Sequence, residues 1–453
     1  MSIRSLQYAR ASLIVVVGAL SVASCGGDST PQYTVGGSVS GLIGSGLVLQ
    51  NDAGNDLAIA ANGSFAFSAS AVTGSAYAVT IKAQPTTPSQ TCVLSAASGT
   101  ISAANISNVV VTCTIQPGRF AYVSGDGILC YAVDAVTGAL TALAGSPCDS
   151  GVRTGMAVDP SGTFAYATLN ASNDVTAYTI DGSTGSLTAL VGSQLNGGGS
   201  NPVDVTVDPT GQFVYMANYL GSISAFTINS ASGGLTAVPG SPFPTAPPIP
   251  PNNNSGVSSV TVDPTGKFLY AALNGANAIS AYTINSSTGA LTAVAGSPFP
   301  AGIPPMVVRV DPSGRYAYAA NNSDSISAYM VNSSTGALTP IAGSPFSSGG
   351  AYPSGLAVDS SGRFLYVPNS GSNSVAAFSI DSSTGALTPI SGSPFACATP
   401  GGAFVHPSGK FLYVTGGSIS GYTIDSTSGA LTPISGSPFA SASGNYYVVA
   451  FSN

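Results

Sequence analysis

The segment Asp359-Ser-Ser-Gly-Arg-Phe-Leu-Tyr-Val-Pro-Asn369 joins a tight-turn sequence to a run of apolar residues. Its pattern belongs to a unit of about fifty residues that recurs seven times from Arg119 onward. Each copy carries an aromatic residue two positions before a tyrosine, in the pairs Phe120/Tyr122, Phe164/Tyr166, Phe213/Tyr215, Phe268/Tyr270, Tyr316/Tyr318, Phe364/Tyr366 and Phe411/Tyr413. Successive pairs are 44, 49, 55, 48, 48 and 47 residues apart. A period of this length built from short strands is typical of a β-propeller or another repeat array.

One copy divides into four strands. In the sixth copy they are predicted at 356–359, 363–368, 375–380 and 386–390. The recurrent Asp-Pro-Ser/Thr-Gly between the first two strands fits a type I turn, because Asp caps the turn and Pro presets φ. A Thr-Gly or Ser-Gly between the last two strands suits a hairpin with a left-handed glycine.

The two ends of the repeat region predict how the ring closes. The first copy begins at its second strand, residues 119–123, and has no inner strand of its own. The last segment, residues 446–451, matches that missing strand. We therefore predict an all-β protein with a seven-bladed β-propeller over 115–453, in which both termini complete a four-stranded blade one and no edge is left exposed.

The region before the propeller predicts a separate small domain. Residues 33–114 alternate apolar and small polar residues between Gly and Asn turns, which indicates six or seven short strands in a β-sandwich-like domain. Nothing in this region indicates catalysis, so a spacer role is expected.

The N-terminus is predicted to be an export signal. Residues 1–24 contain Arg4 and Arg10, an apolar run and then small residues. The sequence Leu20-Ser-Val-Ala-Ser-Cys25 resembles a bacterial lipobox, which implies lipidation of Cys25, a linker over 25–32 and anchoring to a membrane. Gly26 after the cysteine favours the outer membrane. The alternative is an ordinary signal peptide whose Cys25 pairs elsewhere.

An exported chain meets an oxidising compartment, so the remaining cysteines are expected to pair. Cys92 and Cys113 lie in one short β segment and are predicted to pair. The pairing of Cys130 with Cys148 is left open, and Cys397 is then odd and expected to be a buried free thiol. No Cys/His cluster has metal-ligand spacing, so no metal is expected.

The composition argues against nucleic acid as a partner. The chain has 453 residues, of which 6% are charged, with ten Lys and Arg against seventeen acidic residues. Binding phosphate backbones requires clustered cations. All seventeen acidic residues are Asp, and His406 is the single histidine.

The recurring Phe-Leu-Tyr-Val/Ala, Ile-Ser-Ala-Tyr-Thr-Ile, Ser-Ser-Thr-Gly-Ala-Leu-Thr-Pro and Gly-Ser-Pro-Phe sequences resemble those of the lactonase-family β-propellers. The family includes 6-phosphogluconolactonase-type enzymes and a carboxymuconate cyclase, and the resemblance covers about three quarters of the chain. It implies a site near the axis that uses His, Arg and Glu. This chain has no Glu, and His406 replaces a turn Asp, so that set does not transfer.

The repeat also sorts the charged residues. Most lie at turn or hairpin positions, but Arg309 and Asp204 fall in inner strands, and Arg153 also breaks the pattern. These three are the candidate catalytic residues. Candidate ligand-binding residues on the longer loops are Asp126, Asp149, Asp174, Asp324, Tyr219 and Tyr352.

Two functions remain open. The first is a lipid-anchored scaffold of the cell envelope, without cofactor, that binds a protein or a small ligand on its loop face. The alternative is a lactonase-type hydrolase, in which Arg309 or Arg153 polarises a carbonyl and Asp204 acts as base.

Overall fold

The computed structural model describes residues 30–42, 45–52, 54–85, 90–115, 119–245, 256–439 and 447–452. The predicted signal sequence and Cys25 lie outside these residues. Within the described ranges, no helix has the length and apolar character needed to cross a membrane.

Residues 32–115 form two four-stranded sheets that share one apolar core containing Val35, Leu49, Phe67 and Val109. The sequence predicted six or seven strands here, whereas the described residues form eight, one of them the three-residue strand Ser98–Thr100. The strands are Gln32–Ser40, Leu47–Asn51, Asn55–Ile59, Gly63–Val72, Ala76–Ala83, Gln90–Ser95, Ser98–Thr100 and Ile106–Ile115.

Seven further sheets follow, each with four antiparallel strands ordered from an inner to an outer strand, which confirms the predicted propeller. The inner strands are Val449–Ser452 in blade one, then Met156–Val158, Pro202–Val207, Val257–Val262, Pro305–Val310, Ala357–Val358 and Pro400–Val405. The second strands are Phe120–Ser124, Phe164–Leu169, Phe213–Asn218, Phe268–Leu273, Tyr316–Asn321, Phe364–Asn369 and Phe411–Gly416. The third strands are Ile128–Val133, Asp174–Ile180, Ser222–Ile228, Ala278–Ile284, Ser325–Val331, Ser374–Ile380 and Ser420–Ile424. The outer strands are Leu140–Ala142, Leu187–Ala189, Leu235–Ala237, Leu291–Ala293, Leu338–Pro340, Leu387–Pro389 and Leu431–Pro433.

The Gly-Ser-Pro-Phe sequence does more than connect blades. In blades three to six its Phe and the following residue form a two-residue strand that pairs back onto the third strand, and in blade two Leu195 and Asn196 of the related Gly192-Ser-Gln-Leu195 segment do the same, so these blades have a short fifth strand that the sequence did not predict. These strands are Leu195–Asn196, Phe243–Pro244, Phe299–Pro300, Phe346–Ser347 and Phe395–Ala396. Two 3₁₀ turns, Asn170–Ser172 and Asn274–Ala276, lie in the loops between second and third strands.

The turn aspartate between the inner and second strands binds the backbone of its own turn. In blade two, Asp159 Oδ1 accepts from the amides of Thr163 and Phe164 at 2.9 and 2.7 Å, and Oδ2 accepts from the amide of Ser161 at 3.1 Å. Asp208, Asp263, Asp311 and Asp359 repeat these contacts. The carboxylate thereby satisfies backbone donors that the turn would otherwise leave unpaired.

The aromatic-x-Tyr pair and the hairpin glycine form one contact between neighbouring blades. Tyr318 donates its hydroxyl to the carbonyl of Gly385 in the next blade at 2.9 Å, and the ring of Tyr316 lies against the same glycine. Gly385 has φ +75°, and a Cβ there would lie 2.4 Å from that ring. The same hydroxyl contact occurs at all seven blade interfaces, in the pairs Tyr122/Gly185, Tyr166/Gly233, Tyr215/Gly289, Tyr270/Gly336, Tyr318/Gly385, Tyr366/Gly429 and Tyr413/Gly138.

Both ends of the ring meet in blade one, as predicted. Val449–Ser452 pairs antiparallel with Phe120–Ser124, opposite Val123, Tyr122, Ala121 and Phe120. The Val448 amide donates to Ser124 Oγ across a sequence separation of 324 residues. The chain end is thus the inner strand of the first blade.

Two disulfides are present. Cys92 and Cys113 face each other on neighbouring antiparallel strands with Cα atoms 3.9 Å apart. Cys130 is bonded to Cys148 within blade one, which settles the pairing that the sequence left open. Among the described residues Cys397 is a free cysteine, and it is buried.

Candidate functional site

A cavity of about 260 Å³ lies on the propeller axis at the start of the inner strands. We call it the upper cavity. It lies toward the loop face, the face that carries the loops between second and third strands, because each inner strand begins beside the end of a second strand, as Pro202 does beside Asn218. Polar residues that line it are Thr154, Asp204, Ser258, Ser259, Arg309, Ser354 and Tyr447. Apolar residues that line it are Val203, Met306, Val307, Leu356, Ala403, Phe404 and Val448.

Asp204 contributes a carboxylate from the inner strand of blade three. Its Oδ1 accepts from the Val205 amide at 2.9 Å, and its Oδ2 accepts from the Val260 amide of blade four at 3.1 Å. Burial raises the pKa of the Asp204 carboxyl, although the charge of Arg309 and these hydrogen bonds oppose the shift. A raised carboxyl pKa in a cavity is a property of general bases.

Ser259 connects Asp204 to Arg309. Arg309, on the inner strand of blade five, donates from Nη1 to Ser259 Oγ at 3.0 Å and to the Val308 carbonyl at 2.9 Å. Ser259, on the inner strand of blade four, also hydrogen-bonds the Asp204 carboxylate. Three consecutive blades therefore supply an anion, a hydroxyl and a cation to one wall of the upper cavity.

Hydroxyl groups at the cavity mouth join neighbouring blades at three interfaces: two to three, four to five and six to seven. Thr154 donates to the Pro202 carbonyl at 2.8 Å, Ser258 to the Pro305 carbonyl at 3.1 Å and Ser354 to the Gly401 carbonyl at 2.6 Å. Each bond runs from one inner strand, or the segment leading into it, to the start of the next. These contacts fix the shape of the entrance.

Arg153 does not line the upper cavity, and this separates it from the other two candidate catalytic residues. Its guanidinium is buried, donates to Asp149 Oδ2 at 3.0 Å and to Thr176 Oγ1 at 3.2 Å, and lies over the Tyr178 ring. Tyr178 also donates to Asp149 at 2.8 Å. Although burial opposes the shift, the hydrogen bonds from Arg153, the Gly151 amide and Tyr178 hold the pKa of Asp149 below its usual range. In the sequence, the spacing of four residues between Asp149 and Arg153 is the feature from which this ion pair could have been predicted.

The other candidate ligand-binding residues do not form a single site. Asp324 Oδ1 accepts from the Tyr352 amide at 2.8 Å, and both residues have positive φ on exposed loops of blades five and six. Tyr219 covers Gly256, where a Cβ would lie 2.2 Å from the Tyr219 carbonyl oxygen. Asp126 is exposed and Asp174 half-buried, and neither lines the upper cavity.

His406 lies at the tight turn of blade seven, on the opposite face. Its Nδ1 lies 2.8 Å from Ser408 Oγ and accepts from the Ser408 amide at 3.2 Å, which reproduces part of the turn aspartate's role. Its ring packs edge-on against Phe411 and Phe451. The turn position assigned from the sequence is therefore correct.

The sequence did not identify Ser259 as part of the site. Serine occurs at so many repeat positions that one more in an inner strand carries no signal; the alignment of three neighbouring inner strands reveals its role. Among the described residues, no group of three His, Cys or Asp side chains could hold a metal ion.

Comparison with known proteins agrees with this geometry at the level of the fold. A family model described as "Lactonase, 7-bladed beta-propeller" matches residues 56–198 and 190–445, so its first stretch begins within the Asn55–Ile59 strand, ahead of the ring. A search of curated protein sequences found no match.

Two solved structures align over about three quarters of this chain and over nearly the whole of their own length. A protein of Bacteroides fragilis, provisionally assigned as a 6-phosphogluconolactonase, superposes with TM-score 0.63 at 22% identity over 75% of this chain and 99% of its own. The periplasmic gluconolactonase of Pseudomonas aeruginosa superposes with TM-score 0.60 at 20% identity over 74% and 99%. At these identities the likeness shows the fold alone.

Three observations lead to one assignment: the seven repeated blades, the closure of the ring in blade one, and a family match over most of the chain's length. This chain belongs to the lactonase family of seven-bladed β-propellers.

Proposed function

We propose that the upper cavity hydrolyses a small lactone. The observation that carries this proposal is the convergence of Asp204, Ser259 and Arg309 from three successive inner strands on one cavity wall. Membership of the lactonase family supports the reaction class.

In this proposal Asp204 takes a proton from a water molecule, whose oxygen then forms a bond to the lactone carbonyl carbon. Arg309 stabilises the negative charge that develops on the carbonyl oxygen, because a cation in a partly desolvated site interacts strongly with it. The ring C–O bond then breaks, and protonated Asp204 returns its proton to the departing oxygen. The product is a hydroxy acid.

A second candidate function is binding of a small ligand without turnover. It is favoured by the hydrogen bonds that already engage Asp204, from the amides of Val205 and Val260 and from Ser259. A carboxylate accepts about four hydrogen bonds, so one acceptor site remains for water or for a ligand. Binding and hydrolysis are distinguished by turnover.

The test is lactone hydrolysis by the full chain and two variants. Asp204→Asn should lower kcat by about 10²–10⁴-fold if Asp204 is the general base. Arg309→Ala should lower kcat by about 10²–10³-fold if Arg309 stabilises the oxyanion. Matched controls are Asp126→Asn and Arg315→Ala, whose side chains lie outside the upper cavity. Full activity in Asp204→Asn would exclude the proposed base.

We also propose that the protein is exported and anchored in the cell envelope, with the outer membrane favoured, through a lipid on Cys25. The support is the leader of residues 1–24 with its lipobox-like end and Gly26. Cys25→Ser should release the protein from membranes and prevent labelling by a radioactive fatty acid, whereas Cys397→Ala should do neither. Membrane retention of Cys25→Ser would contradict the anchor.

A further inference from the structure

We propose that the substrate of the upper cavity is an uncharged lactone that carries an apolar substituent. This inference rests on the proposed lactone hydrolysis and narrows its substrate class. It follows from the charges around the cavity, from the side on which they lie, and from a second cavity on the same axis.

The charges leave no surplus cation for an anionic group. Among the residues that line the upper cavity, Arg309 is the one cation and Asp204 the one anion. Phosphate and carboxylate groups of ligands are usually held by Arg or Lys, often in bidentate pairs. Here the charge of the guanidinium, which donates through Nη1 to Ser259 and Val308, is balanced by the charge of Asp204. A phosphorylated lactone would therefore meet a site without net positive charge.

The charged residues lie on one side of the upper cavity. Asp204 and Arg309 belong to blades three and five, where Val203, Met306 and Val307 also line the cavity, whereas blades six, seven and one supply Leu356, Phe404 and Val448 and no charged side chain. A lactone whose carbonyl lies against the charged side would place its substituents toward blades six, seven and one. Burial of apolar surface there is favourable by roughly 25 cal/mol per Å².

A second cavity of about 260 Å³, the lower cavity, continues along the axis. It shares Arg309, Leu356, Ala403 and Phe404 with the upper cavity. Below Arg309 its lining side chains are apolar and include Val358 and Phe451. The lower cavity offers room for an alkyl chain, and apart from Arg309 none of its lining side chains could hydrogen-bond the hydroxyl groups of a sugar lactone.

At the entrance, the ring of Tyr447 lines the upper cavity and is 41% exposed. An apolar substituent can contact this ring on its way in.

The experiment compares substrates and inert analogues on the full chain. The substrates are δ-valerolactone, δ-decalactone, glucono-δ-lactone and 6-phosphoglucono-δ-lactone. We expect kcat/KM for δ-decalactone to exceed that for δ-valerolactone by at least about tenfold, with no measurable turnover of the phosphorylated lactone. Calorimetry with the corresponding lactams, 2-piperidone and its 6-pentyl derivative, should show the same preference in affinity without hydrolysis.

Phe404→Ala should lower kcat/KM for δ-decalactone by at least about tenfold more than kcat/KM for δ-valerolactone, and so abolish the preference for the pentyl group. Phe404→Leu keeps a smaller apolar side chain and should give an intermediate preference, and it serves if Phe404→Ala does not fold. Equal lactam affinities, or faster turnover of the sugar or phosphorylated lactone, would overturn the inference. If no lactone is hydrolysed but the pentyl lactam still binds more tightly, the proposed hydrolysis fails and the apolar specificity stands.

Discussion

Asp204 is under two opposed influences. Burial disfavours its charged form, while the amides of Val205 and Val260 and the nearby Arg309 favour it, and burial prevails. Because the pKa is higher in the folded than in the unfolded state, the Asp204 carboxyl contributes stability only at low pH. That contribution is lost as pH rises through the folded pKa. Retaining a carboxyl at this cost is expected at a functional position.

The activity should depend on pH through this group. A base acts only when ionised, so kcat/KM for lactone hydrolysis should rise with pH, with its midpoint above the ordinary Asp pKa of about 3.9. The measurement is a pH profile of kcat/KM for the wild type and for Arg309→Ala. Loss of the Arg309 charge removes a contribution that lowers the pKa, so the midpoint should move to still higher pH. A midpoint at or below the ordinary value would contradict the assignment.

The sequence identified part of this site, for a physical reason. Asp204 and Arg309 occupy inner-strand positions where other copies have small or apolar residues, and a charge in a buried strand is expensive unless it has a partner. Arg153 also departs from the repeat pattern. Its partner, however, is Asp149, four residues earlier in the same loop, and neither residue lines the upper cavity. A break in the pattern therefore marks a paired charge without showing which cavity it faces.

Each blade interface joins the aromatic-x-Tyr pair of one blade to the hairpin glycine of the next. The second strand supplies an aromatic ring and a tyrosine hydroxyl, and the hairpin of the next blade supplies a glycine with positive φ. Tyr318 and Gly385 are separated by 67 residues. A buried hydroxyl bonded to a buried carbonyl contributes about 0.5–1.5 kcal/mol, and loss of one partner costs more.

Gly385→Ala should therefore destabilise the protein more than Gly392→Ala in the same blade. Both glycines have positive φ, +75° and +84°, which costs an alanine about 1–2 kcal/mol. At Gly385 the new Cβ would also meet the Tyr316 ring at 2.4 Å, whereas at Gly392 the nearest atom is 3.7 Å away. Overpacking adds about 1–3 kcal/mol. Denaturant unfolding measures the difference; equal losses would show that the ring contact carries no energy.

The turns and strands could be predicted from the sequence because each depends on residues close together. The Asp359 turn and the Gly385 hairpin are local, and the structure has both. The partner of each Tyr hydroxyl could not be predicted, because it lies one whole blade further on. The short fifth strand, such as Phe395–Ala396 in blade six, could not be predicted, because two residues are too few to show the apolar–polar alternation of a strand.

Around the ring, charges match across blade interfaces. The residue before each aromatic-x-Tyr pair faces the hairpin of the next blade: Arg363 donates to the Ser426 and Thr427 carbonyls, beside Asp425. Cations stand opposite Asp hairpins at four interfaces, Arg119/Asp181, Arg315/Asp381, Arg363/Asp425 and Lys410/Asp134. Neutral Thr163 and Gln212 stand opposite Asn229 and Asn285, and Lys267 opposite Asn332 is the exception. Arg119 and Arg315, like Arg363, donate to carbonyls of the opposing hairpin, those of Gly182 and Ser382.

The whole ring should unfold steeply in alkali. Burial raises the pKa of all seven interface tyrosines: Tyr122, Tyr166, Tyr215, Tyr270, Tyr318, Tyr366 and Tyr413. The unfolded chain loses these protons near pH 10 and the folded ring keeps them to higher pH. The contribution of these tyrosines to the free energy of unfolding is therefore fully present below about pH 10. Above it, the free energy of unfolding falls by about 1.4 kcal/mol per pH unit for each tyrosine.

The measurement is the free energy of unfolding from pH 9 to pH 12, compared with Tyr318→Phe. The variant should be less stable at neutral pH. Its free energy of unfolding should fall with rising pH less steeply than that of the wild type, by about 1.4 kcal/mol per pH unit, because one titrating hydroxyl is missing. Tyr352→Phe, at an exposed tyrosine, is the matched control and should leave the slope unchanged. An identical slope in Tyr318→Phe would contradict the role of the buried hydroxyls.

Blade one has a consequence for biosynthesis. A ribosome makes Phe120–Ser124 before the other six blades, yet the strand that pairs with it, Val449–Ser452, is made only after them. Until then the apolar edge of the first blade has no native neighbour, while every later blade already has one. The period between the two events is the time in which a chaperone or an unwanted strand can bind, and its length is set by the rate of translation.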